Sequence, residues 1–141
     1  MHHPNLTAQD LMTGLDQPVA EHHSRPALAA DAREAVRVFL TGLGPAVATQ
    51  TAQHLLLLVS ELVTNALRHA GAVTALRLRA DRHRLTVTVE DPDPAPPRER
   101  VPDLSGSEGG FGWPMVLRMS DEVRVLPAPA GGKTVIATLA R

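Results

Sequence analysis

Residues 60–70 read Ser60-Glu61-Leu62-Val63-Thr64-Asn65-Ala66-Leu67-Arg68-His69-Ala70, a run that sets polar side chains at helical spacing among apolar ones. Glu61, Asn65 and His69 are spaced four and four, which on a helix stacks them along one face. Leu55, Leu58, Val59, Leu62, Val63, Ala66 and Leu67 supply a dense apolar surround. The pattern predicts a helix over about 48–70, closed by Gly71. A carboxylate in such a line can orient or deprotonate a hydroxyl, and an amide oxygen can hold a hard cation such as Mg²⁺. Spacing alone leaves a solvated polar stripe equally open, because every surface helix carries one.

On either side the chain punctuates itself clearly. Asp31 opens a helical pattern carried by Ala32, Ala35, Val36, Phe39 and Leu40, with Gly42 and Gly44 as its stop. After Gly71, Val73, Leu76 and Leu78 belong to one strand, and Leu85, Val87 and Val89 to the next. Asp81-Arg82-His83-Arg84 turns between them, making a hairpin. Pro92, Pro94, Pro96, Pro97 and Pro102 exclude a helix or inner strand, and a Ser/Gly-rich stretch follows. Residues 92–109 are therefore read as a mobile lid. Phe111 to Met119 reads as a helix, Pro114 being tolerable in its first turn. Glu122–Leu126 and Lys133–Leu139 are the last two strands. Residues 1–27 lack sustained periodicity and are read as a flexible arm, with one short element near Leu11–Leu15, ahead of a single domain over 28–141.

Composition narrows the function classes. At 141 residues the chain can bury a real core, and with aromatics at 2% that core must be Leu, Val and Ala. A net charge of −1 gives no reason to expect a nucleic-acid or membrane surface. The absence of Cys excludes disulfides, zinc thiolates and thiol catalysis. The apolar run beginning at Leu55 is far short of a membrane span, and no signal peptide pattern opens the chain, so a cytoplasmic location is expected. His2-His3 and His22-His23 are read as solvated, since a metal site needs three or four convergent ligands.

Three further places carry chemistry. Asp91 stands at a strand end, where a carboxylate can accept from an exocyclic amine; before Pro92 it can also start a turn. Gly109-Gly110-Phe111-Gly112 precedes a helix, and glycines there let backbone N–H groups approach phosphate oxygens. Gly132-Lys133-Thr134 is not the end of a Walker loop: position 127 is Pro127 where that spacing needs Gly, and a strand follows where a helix should.

With those elements in order, Glu61 to Ala70 resembles the N-box of the GHKL ATPase superfamily, most closely the small anti-sigma-factor serine kinases and similar single-domain actinobacterial proteins. The resemblance runs through Asp91, Gly110–Gly112 and Gly132–Thr134, covering about residues 30–140. It implies a Bergerat-type α/β two-layer sandwich, with a mixed, mainly antiparallel sheet of four or five strands covered on one face by three helices. It implies Mg²⁺ held by Asn65, with Glu61 as the catalytic base. It implies ATP contacts from Asn65, His69, Asp91 (to adenine), Gly110, Gly112 and Thr134. For His69 a purely dipolar role at the helix end stays open, and for Thr134 that of a half-buried strand residue. Arg98 and Arg100, in the lid, are read as solvated. The superfamily continues Asp-x-Gly-x-Gly, whereas this chain has Asp91-Pro92-Asp93-Pro94-Ala95. The implied function is an ATP-dependent protein serine/threonine kinase regulating a sigma factor through an antagonist protein, with homodimerisation common among similar proteins. A non-catalytic, partner-sequestering switch is the alternative.

Overall fold

The computed structural model describes residues 20–97 and 112–141. In chain order they form β1 (Ala20–Ser24), α1 (Ala29–Thr41), α2 (Thr49–Ala70), β2 (Ala75–Ala80), β3 (Arg84–Asp91), α3 (Gly112–Met119), β4 (Glu122–Pro127) and β5 (Lys133–Ala140). The strands make one sheet in the order β1-β2-β3-β5-β4. Every pairing in it is antiparallel. The result is an α+β two-layer sandwich with three helices.

Period-two alternation decides which face is covered. Leu76, Leu78, Ala80, Leu85, Val87, Val89, Val135, Ala137 and Leu139 are all buried. They line up across the sheet, Ala80 opposite Leu85 and Leu85 opposite Leu139, then Leu78–Val87–Ala137, then Leu76–Val89–Val135. A one-residue slip would turn each row to the other face, so the register is strongly specified. Onto these rows α2 lowers Leu55, Leu58, Val59, Leu62, Val63 and Ala66, and α1 adds Ala32, Ala35, Val36 and Phe39.

Local chemistry sets the element ends. The Asp31 carboxylate accepts from the Leu28 N–H at 3.1 Å, tying down the entry to α1. Gly71, at φ 81°, ends α2 in the left-handed conformation that disfavours a side chain. At the β2–β3 turn, Asp81 accepts from the amides of His83 (2.8 Å) and Arg84 (2.7 Å) through one oxygen.

One departure concerns the stretch read as an arm. Residues 20–24 form β1, an edge strand paired with Leu76–Ala80. Its inward positions are Ala20, His22 and Ser24, too small and polar to show as an alternating apolar pattern. On its outer side Glu21 lies 3.8 Å from Arg77 and 3.9 Å from Arg79. Leu11–Leu15 lies outside the described residues.

Candidate functional site

The three apolar rows of the sheet continue into a fourth, and there the chemistry changes. Asp91 faces Lys133 across β3 and β5. Both lie on the buried face, at 2% and 5% exposure. Lys133 Nζ donates to Asp91 Oδ1 at 3.1 Å and to the Asp93 carbonyl at 3.0 Å, and it lies 3.0 Å from Asp91 Oδ2. Asp91 Oδ1 also accepts from the Asp93 N–H at 2.9 Å, and Asp93 Oδ1 from the Ala95 N–H at 2.9 Å. These successive side-chain turns hold the start of the Pro-rich segment in place although neither proline has an N–H to offer.

Above this row runs the polar face of α2. Asn65 is half-buried and His69 exposed. Together with Asp93, Ala95, Pro96, Pro97 and Lys133 they line a cavity of about 240 Å³. A second cavity, about 340 Å³, adjoins Lys133 and Pro96 on the β4–β5 side, between Pro94, Leu126 and Gly132. Glu61 is half-buried one turn before Asn65. A Cβ added to Gly112, the first residue of α3, would come within 3.3 Å of Glu61 Oε2. The carboxylate thus stands beside the amino end of α3, where the helix dipole favours negative charge.

The sequence-predicted residues are placed unevenly. Asn65, His69 and Asp91 are brought to one end of the sandwich, and Gly112 joins Glu61 one turn away. Asp91 is turned inward, but its carboxylate is already bonded to an ammonium and an amide. Thr134 is a half-buried residue of β5, the alternative left open for it. It alternates with the buried set Lys133, Val135, Ala137 and Leu139, so it points to the sheet face away from the helices. Lys133 holds the inward place at this end of β5. Gly110, Arg98 and Arg100 lie outside the described residues, as does most of the expected lid; Pro92–Pro97 is its described part.

Three site residues escaped the sequence reading, namely Lys133, Asp93 and Gly132. A Cβ on Gly132 would fall 1.8 Å from the Asp91 carbonyl oxygen and 2.8 Å from Pro92 Cα, so β5 can start beside the end of β3 only with glycine there. Counting back by twos from Leu139 puts Lys133 inward, a signal that was available in the sequence.

A family model for the histidine kinase-like ATPase domain matches residues 23–139. The chain belongs to that family. No curated protein matches the chain. A histidine kinase-like ATPase domain of the GHKL superfamily supports an ATP-binding function. The Asn65 amide and the His69 ring converge on one cavity, which Lys133 also lines. Among the described residues no group of three or more His, Cys, Asp or Glu could hold a metal by itself. The Asn65 amide oxygen on the cavity wall could hold a magnesium ion together with phosphate oxygens of a ligand. Among the described residues no helix is long and apolar enough to cross a membrane.

Proposed function

We propose that this histidine kinase-like ATPase domain binds ATP with Mg²⁺ in the cavity beneath α2 and transfers the terminal phosphoryl group to a serine or threonine of a partner protein. The observation that carries the reading is the convergence of Asn65 and His69 on a cavity at the end of the sheet, in a chain matched to the family over residues 23–139. Asn65 supplies the amide oxygen for the metal, and His69 faces the phosphates. Glu61 takes the proton of the attacking hydroxyl. Magnesium, when bound, neutralises phosphate charge and so lowers the cost of the in-line displacement. The partner is an antagonist in an anti-sigma-factor-like circuit in the cytoplasm, with no contact to nucleic acid or membrane, and a second copy of the chain is a further candidate partner.

Calorimetry with ATP and ADP, with and without Mg²⁺, tests the binding step, and radiolabelled phosphotransfer to candidate antagonists tests the chemistry. Heat that depends on Mg²⁺, followed by label on a seryl or threonyl residue, is the expected result. Binding without transfer to any candidate antagonist would favour a second reading, a switch that sequesters its partner without catalysis. The observation favouring that second reading is the Lys133 ammonium already seated on Asp91.

A further inference from the structure

A carboxylate as buried as that of Asp91 is kept only with partners for its charge, and its partner here is built into the chain. Lys133 reaches both Asp91 oxygens, at 3.0 and 3.1 Å, and the Asp93 carbonyl at 3.0 Å. Two of these acceptors, Asp91 Oδ1 and the Asp93 carbonyl, take hydrogen bonds from the ammonium, which is thereby committed to the chain's own groups. Asp91 Oδ1 accepts the Asp93 amide as well. An exocyclic amine reaching this carboxylate would compete with an ammonium whose bond to it is charged on both sides, where its own would be charged on the acceptor side alone. Lys133 also borders both cavities, the one of about 240 Å³ below Asn65 and the one of about 340 Å³ toward β4.

Resting on the nucleotide-binding reading above, we propose that Lys133 is the specificity-determining residue of this site: it fills the donor place at Asp91 that a base amino group would take, so the protein holds its ligand by the phosphates and does not select adenine. Selectivity of a site toward an amine or a carbonyl comes from polar groups that only the right ligand satisfies, and here those groups satisfy each other. Shortening Lys133 frees the Asp91 carboxylate and opens the partition between the two cavities. The amino group of adenine then has an acceptor, while the carbonyl of guanine at the same place meets a bare carboxylate.

The test is ligand-induced thermal stabilisation and calorimetry on the full chain, with ATP, GTP and inorganic triphosphate, each with Mg²⁺. For the native protein the dissociation constants should lie within about threefold of one another, and K133T should favour ATP over GTP by about tenfold or more. A native protein that already prefers ATP over GTP by about tenfold overturns the proposal while leaving nucleotide binding intact. A K133T variant of native circular dichroism that binds ATP and GTP alike overturns it too. Binding of ATP by K133T alone would support it. If neither protein responds to any of the three ligands, the nucleotide reading itself falls, and the proposal with it. Should K133T not fold, the native comparison decides unaided.

Discussion

Asn65 and Glu61 are one helical turn apart, yet they meet different neighbours, and under the proposed function they do different work. Asn65 lines the cavity, whereas Glu61 stands beside Gly112 at the start of α3. Asn65→Ala should therefore weaken nucleotide binding measured by calorimetry, because a metal ligand is lost. Glu61→Ala should spare binding and lower phosphotransfer by about 10²–10⁴, the range for removing a general base. Equal loss of binding in both variants would make Glu61 a structural residue that orders the start of α3. Gly132 belongs to this scale as well. Gly132→Ala drives a methyl group into the Asp91 carbonyl, and since that oxygen belongs to the backbone at the end of the paired strand β3, the backbone has to move. A cost of roughly 1–3 kcal/mol is expected in urea unfolding, as for other overpacked sites. An unchanged midpoint would mean that the β3 and β5 ends separate freely.

At the level of elements, sequence pattern and structure agree wherever an apolar period is dense. The helix read over 48–70 is α2 at Thr49–Ala70, because six buried apolar residues mark one stripe and Gly71 closes it. The strands around Leu76 and Leu85 emerge as β2 and β3 for the same reason. Where inward residues are small or polar the period vanishes: β1 buries Ala20, His22 and Ser24 only in part, and Lys133 breaks the apolar row at the site itself. The helical spacing of Asn65 and His69 was legible, but the bond from Lys133 to Asp91 is a contact between residues far apart in sequence, which no local period encodes. Local turn chemistry offers a further test. Burial works to raise the Asp81 carboxyl pKa, but the amides of His83 and Arg84 outweigh it and hold the group below its ordinary value. A depressed folded pKa adds stability that is full above the unfolded value, near 3.8, and disappears as pH falls through the folded value. Asp81→Ala should cost about 1 kcal/mol at neutral pH, for two solvent-shared bonds to one oxygen. The difference from the native protein should shrink below about pH 4. A difference that stays constant down to pH 2 would assign the loss to packing.

For the molecule as a whole, one helix serves both the core and the site, so stability and ligand binding are coupled through α2 but can be separated by where along its length it is altered. Leu58 is fully buried about two turns before Asn65, while Asn65 and His69 line the cavity. Leu58→Ala should lower stability by about 2–5 kcal/mol, the range for emptying a leucine site in a packed core. Its loss lies away from the cavity, so the increment conferred by ligand should survive. A ligand that binds only the folded chain adds about 2.7 kcal/mol when present at a hundred times its dissociation constant. For a domain of this length each kcal/mol moves the melting temperature by roughly 3–5 °C. Leu58→Ala should consequently melt earlier than the native protein but gain a similar rise from saturating Mg·ATP, whereas Asn65→Ala should melt close to the native temperature and lose most of the rise. If Leu58→Ala also lost the ligand increment, the cavity would depend on the packing beneath it, and the polar face of α2 could not be treated as a site independent of its core.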